Sequence, residues 1–383
     1  MPTENGEAAL EGALALAWSP DEARVALGFP KGLVTIHSVN PETGGPADEL
    51  GRLDFIEADI CLLAFREDGK LVAVGANTCW AVADGLTGEV VKASDGELLT
   101  DAVDRAARGT TASLSPDGEF LFVGAKSAGR TTLFRVELAT RTLFSAGHLE
   151  DAGAAHEPRV WAIDATSAWV EMDRDGGDGE RRRQGLLRVD FRRGTVTPHL
   201  FEKRLWEEHL LRGKPWPLEL DVKRGLGVRP RFDAITPVEQ RGRTLWPAFL
   251  EIFSLDTLET VETIGVAALP DDGLADENAE GLREPPSSEE HLEGVEALLG
   301  QLSAARFDPV RKAVWVSMKY GRLKRVGLGD EENSELIVHQ VAEGVTNVAA
   351  LSRRLGSHVL AISPRGRFLG FGFPNDFRAT PAE

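Results

Sequence analysis

Short apolar runs alternate with short polar breaks along the whole chain, and one break keeps returning in nearly the same form. Between Thr111-Ala112-Ser113-Leu114 and Phe120-Leu121-Phe122-Val123 stands Ser115-Pro116-Asp117-Gly118. Proline presets φ for the second turn position, aspartate is favoured beside it, and glycine takes the end. Related corners are Ser19-Pro20-Asp21-Glu22, Arg66-Glu67-Asp68-Gly69, Asp308-Pro309-Val310-Arg311 and Ser363-Pro364-Arg365-Gly366. Looser ones are Asp164-Ala165-Thr166-Ser167 and Asp221-Val222-Lys223-Arg224.

Around Ser115–Gly118 the pattern predicts four strands. Thr111–Leu114 enters the corner, Glu119–Gly124 returns from it, and Thr131–Val136 and Thr140–Phe144 follow, rich in β-branched and aromatic residues. The first copy predicts strands at Leu14–Trp18, Arg24–Gly28 and Leu33–Val39, the second at Leu62–Phe65, Leu71–Gly75 and Trp80–Ala83. The sixth predicts Leu302–Phe307, Ala313–Ser317 and Leu323–Gly327. Most corners lie roughly 47 to 57 residues apart, a spacing typical of propeller blades. The expected fold is therefore all-β: a seven-bladed β-propeller of four-stranded antiparallel blades, with residues 1–383 as one domain. A β-sandwich also uses many short strands, but gives no reason for one turn to recur at this interval. The last copy, His358 to Phe373, shows only two clear strands, so residues near Ala8 are expected to supply its outer strand.

Three segments carry sequence that blades do not need, and short helices are expected there. Residues 265–303 form an acidic, proline-bearing loop, with a capping box at Ser287 and Glu290 ahead of Leu292, Val295, Leu299 and Leu302. Residues 197–217 include Phe201, Leu205, Trp206 and Leu210 at helical spacing, and residues 95–107 include Leu98, Leu99, Val103 and Ala106.

Charge narrows the partners. With 43 basic and 61 acidic residues the formal net charge is −18, which repels phosphate backbones and anionic lipid. Nucleic acid and membrane are not expected, and a free monomer is. Residues Met1 to Gly12 lack the pattern of a signal peptide, and no run approaches 18 apolar residues. Two cysteines, Cys61 and Cys79, make no disulfide framework, so a cytoplasmic location is expected.

No nucleophile elbow, phosphate-cradling glycine loop or zinc spacing occurs, so no catalytic residues and no cofactor are expected. The loop Asp173-Arg174-Asp175-Gly176-Gly177-Asp178-Gly179-Glu180 reads in two ways. Asp173, Asp175 and Asp178 would suit calcium, but the spacing is one residue off and Arg181-Arg182-Arg183 opposes a cation, which favours a solvated hairpin tip. Loops between second and third strands collect a different chemistry: Phe29 and Lys31, Lys126 and Arg130, Lys319, Tyr320 and Arg322, then Phe373. Cations and aromatics on one rim of an acidic protein suit an acidic segment of a partner or of residues 271–293. Lysine and glycine also simply make good turns.

These repeats resemble the WD40-like and YVTN-type β-propellers of bacteria over nearly the whole chain. The Trp-Asp dipeptide of WD40 repeats is missing from every copy, and a Gly-His pair occurs once, at Gly147-His148. The resemblance implies a rigid disk that holds other proteins, and the expected function is a non-enzymatic scaffold or adaptor subunit. A lactonase-like hydrolase working in the central channel is the alternative it implies.

Overall fold

The computed structural model describes residues 8–10, 13–54, 58–94, 111–127, 130–149, 159–174, 183–201, 219–231, 238–240, 243–245, 248–266, 302–318, 322–329, 334–337, 359–373 and 376–381. Among them are seven four-stranded antiparallel sheets, five of them meanders of consecutive strands, and one two-stranded hairpin. The chain divides into two compact units. One comprises residues 1–201, 308–311 and 358–383, the other residues 202–307 and 312–357.

The first unit holds five sheets. In chain order their strands are Ala15–Trp18, Arg24–Gly28, Leu33–Val39 and Pro46–Asp54; Ile60–Phe65, Leu71–Gly75, Trp80–Ala83 and Val90–Ala93; Thr111–Leu114, Phe120–Ser127, Arg130–Glu137 and Thr142–His148; and Val160–Ala162, Ser167–Arg174, Arg183–Asp190 and Thr195–Leu200. The seventh sheet runs Val359–Ile362, Phe368–Phe373 and Asp376–Pro381, and its outer strand is Ala8–Leu10 from the other end of the chain. Ala8 pairs with Ala379, Ala9 with Arg378 and Leu10 with Phe377, as expected for residues near Ala8.

The second unit holds the fifth sheet, Glu219–Asp221, Leu226–Arg231, Ala248–Ser254 and Thr260–Val266, and the sixth, Leu302–Phe307, Ala313–Met318, Arg322–Gly327 and Ser334–Ile337. The hairpin Val238–Gln240 with Arg243–Leu245 lies within the link between the second and third strands of the fifth sheet. Nothing in the apolar pattern announced it.

Second strands are continuous apolar runs because both of their faces are covered. Leu71 and Ala73 pack with Ala26, Val34 and Ile36 of the first sheet, while Val72 and Val74 pack with Leu121 and Val123 of the third. Phe122 and Leu133 then meet Val170 and Leu187 of the fourth sheet. In the second unit Val228, Leu250 and Ile252 pack with Val314, Val316 and Val326.

The corners are wired as their sequence implies. Ser115 Oγ donates to Asp117 (2.5 Å) and accepts from the Phe120 amide (2.9 Å), and the Gly118 amide reaches the Ser115 carbonyl (2.8 Å). Ser19 and Asp21 repeat the first contact at the same distance, and Ser363 accepts from the Phe368 amide at 2.9 Å. Where serine is lacking, Asp164 and Asp308 take over, each accepting two amide hydrogens.

A second turn, between third and fourth strands, recurs with an amide-to-carbonyl bond four residues back at Gly44, Gly88, Arg141 and Leu258. This last position takes a left-handed φ, +72° at Gly44, +77° at Gly88 and +62° at Arg141. A side chain there costs about 1 kcal/mol or more relative to glycine. Arg141→Gly is therefore expected to raise stability by about 1 kcal/mol, seen as a higher urea midpoint at unchanged slope.

One helical element occurs among the described residues, a 3₁₀ turn at Pro30–Gly32. The helices expected over 95–107, 201–210 and 287–302 lie outside the described residues, apart from Phe201 and from Leu302, which opens a strand. Thr197–Leu200, expected in an insertion, instead completes an outer strand, because Thr195, Val196 and Thr197 pair in register with Asp190, Val189 and Arg188.

Candidate binding surface

In each meander the link between second and third strands lies at the end of the sheet where the first strand begins. The expected rim residues fall on these links. Lys126 pairs with Thr131 and Arg130 with Ser127, so both flank the hairpin tip of the third sheet. Phe373 pairs with Asp376 at the tip of the seventh. In the second unit Arg322 pairs with Met318 in the sixth sheet, while Lys319 and Tyr320 lie outside the described residues. Lys126 and Arg130 share the link of the third sheet, while Phe29 with Lys31, Phe373 and Arg322 belong to the first, seventh and sixth sheets.

Phe29 and Lys31 are seen in most detail. Phe29 is half-buried against Ala13, Val25, Leu27 and Phe368, which fixes it as a wedge in the core rather than a projecting anchor. Its carbonyl accepts from the Ile60 amide at 3.4 Å. Lys31 is exposed and left-handed, at φ +62°, and its amide donates to Asp59 Oδ1 (3.2 Å). The Ala76 amide in turn donates to the Asp59 carbonyl (2.8 Å), so Asp59 joins the links of the first two sheets. Among the described residues the Lys31 ammonium forms no ion pair.

At the same end of the fourth sheet Arg159 grips Glu171 with two nitrogens, at 2.8 and 2.9 Å, and lies 5.9 Å from the Trp161 ring. Asp173 is the penultimate residue of the second strand there, and Asp175 and Asp178 lie outside the described residues. Arg174 pairs with Arg183, and residues 175–182 lie outside the described residues. Among the described residues no group of three or more histidine, cysteine, aspartate or glutamate side chains could hold a metal ion.

Titration offers no catalytic cluster among the described residues. The depressed carboxylates Asp21, Glu22, Asp68, Asp84 and Asp164 all sit on turns. Hydrogen bonds from their own turns or, for Glu22, from the seventh sheet outweigh any burial that opposes them. His37 is lowered by burial, partly offset by Glu49, and stands on a third strand. Cys61 stands on the first strand of the second sheet. Burial pushes its thiol up to about 12. Alkylation of Cys61 by iodoacetamide at pH 8 is expected to run at least about 100-fold slower than that of a free cysteine, since only about 10⁻⁴ of it is thiolate. Equal rates, read by peptide mass spectrometry, would contradict this.

Sequence reasoning missed a set of cross-sheet contacts at the opposite end, where the corners lie. Arg24 donates to the Gly85 carbonyl (2.9 Å), Arg66 meets Glu119 (2.5 Å), and Arg135 donates to the Ala165 carbonyl (2.5 Å). Arg311 reaches the Gly366 carbonyl (3.1 Å), and Arg367 with the Arg365 amide (2.7 Å) closes on buried Glu22. Arginines thus tie corner to neighbouring sheet within this unit. The recurring arginine near each corner was the available signal.

The fold has known counterparts. The chain is similar to the C-terminal WD40 domain of Sif2, with a TM-score of 0.55 and 11% identity over 98% of this chain and 97% of that one. It is also similar to the Pan2 WD40 domain of Neurospora crassa, with a TM-score of 0.54 and 9% identity over 97% and 90%. No family model matches the sequence, and no curated protein does. At these identities the likeness shows the fold alone: a WD40-type β-propeller, whose seven four-stranded sheets are its blades.

Proposed function

We propose that the protein is a non-catalytic interaction module that holds a partner protein against the blade ends bearing the second-to-third-strand links. Lys31 carries this reading. It is an exposed cation in a left-handed conformation, with no ion pair among the described residues, on a chain of net charge −18. Glycine would fit that backbone with less strain, so a ligand contact is the reason to retain lysine. Lys126 and Arg130 flank an equivalent link in the same unit, and an acidic partner segment suits all three. WD40 propellers are typically protein-interaction scaffolds, which supports the same conclusion.

The test is affinity capture from the native host with the wild type and with a Lys31→Glu, Lys126→Glu double variant. Both residues lie on links or their flanks, so the melting temperature is expected to hold. The partner captured by the wild type is expected to be lost. Capture of the same partner at wild-type level would refute the surface.

A further inference from the structure

Among the described residues the outer strand of every blade is paired on one side only, and six of the seven carry devices that stop an edge from pairing. Pro46–Asp54 has two register shifts and carries Asp48, Glu49, Arg52 and Asp54. Val90–Ala93, Thr142–His148 and Thr260–Val266 each pair across a register shift. Ser334–Ile337 has four residues, one of them Glu335, and Ala8–Leu10 has three. Thr195–Leu200 differs. Its six residues pair without a shift from Gly185 to Asp190, and none is an acid, lysine or arginine. Pro198 is its single guard.

This strand is also fixed in place. The His199 ring stands edge-on to buried Trp169 at 5.0 Å, and Gly185 lies so close that an added Cβ would come within 2.1 Å of the His199 carbonyl oxygen. Burial, and then the Arg188 charge, hold His199 below its usual range, so it is neutral at pH 7. Alternation puts Val196, Pro198 and Leu200 on one face and Thr195, Thr197 and His199 on the other. Val196 and Leu200 are 37% and 46% exposed. The opposite face is basic. Exposed Arg188 is the register partner of Thr197, and Arg192 and Arg193 are exposed in the turn just before the strand. Among the described residues Arg188 and Arg192 form no ion pair, and Arg193 meets Asp190 at 3.7 Å.

We propose that Thr195–Leu200 accepts an extended segment of a partner protein as a fifth strand of the fourth blade, the segment alternating apolar and acidic residues. Its main chain pairs with the open edge, its apolar side chains lie over Val196 and Leu200, and its carboxylates face Arg188 and Arg192. This site shares no residue with the surface proposed above and stands or falls separately from it.

The probe is a synthetic octapeptide alternating glutamate and valine, with a lysine–valine octapeptide as control. Hydrogen exchange of the full-length protein is followed at residue resolution. Outward amides of 195–200 are expected to exchange quickly in the free protein and at least tenfold more slowly with millimolar glutamate–valine peptide. The lysine–valine peptide should have no effect, and Arg188→Glu with Arg192→Glu should reverse the preference. Slow exchange before any peptide is added, equal response to both peptides, or no response to the acidic one would each overturn the proposal.

Discussion

Replacing Glu251 with alanine is expected to cost about 3–5 kcal/mol, the largest loss from any single polar change in the described blades. Glu251 is 1% exposed on the third strand of the fifth blade, and its register partner Arg229 is 9% exposed on the second. The Arg229 Nε–Oε2 distance is 2.8 Å, and Thr260 Oγ1 donates to the other carboxylate oxygen. Truncation would remove one partner of a buried ion pair, and breaking such a pair is costly. The decisive control is Arg229→Met with Glu251→Leu, which removes both charges and keeps the volume. Most of the stability should return, since a buried pair is often no better than well-packed apolar residues. A double variant as weak as Glu251→Ala would show that the cost is a cavity and not a charge.

Glu22→Ala is expected to be nearly as damaging, at about 3 kcal/mol, because it opens the joint between the first blade and the seventh. Glu22 is 2% exposed and holds the Arg365 amide at 2.7 Å together with the Arg367 guanidinium. Burial pushes its carboxyl up, but hydrogen bonds from Ser363, Arg367 and the Arg365 amide outweigh it, so the pKa is lowered. The sign follows from linkage: a carboxylate depressed in the folded state contributes fully above its unfolded pKa and loses that contribution as pH falls through the folded value. Urea titrations of wild type and Glu22→Gln should thus differ most near neutral pH and converge below the ordinary carboxylate range. A constant gap across pH would contradict the assignment.

Much of this fold was legible because the informative signals are local. Ser115-Pro116-Asp117-Gly118 specifies its corner within four residues, and Arg24–Gly28, Leu33–Val39, Leu71–Gly75 and Trp80–Ala83 run between the limits their apolar pattern implied. The end-to-end pairing of Ala8–Leu10 was inferred from a shortage: the seventh repeat lacked an outer strand. What stayed hidden depends on partners distant in sequence. Arg229 and Glu251 carry no local signal of a pair, and only strand register sets them opposite one another. Phe29 read as a binding anchor, yet Phe368, more than 300 residues away, helps form the pocket that takes it. Thr197–Leu200 was expected in an insertion, yet it completes an outer strand, where the open edge tolerates Pro198. Which links share one end of their sheets followed from topology alone.

The account depends most on the two chain ends meeting in one blade. The most direct measurement pairs Ala9→Cys with Arg378→Cys, register partners in the seventh sheet, in a background with Cys61 and Cys79 replaced by alanine. Oxidation at low protein concentration is expected to give an intramolecular disulfide, found as a single cross-linked peptide by mass spectrometry, and to raise the melting temperature by several degrees. Two free thiols, or dimers alone, under conditions where the chain is folded would contradict closure of the propeller through its N-terminal strand.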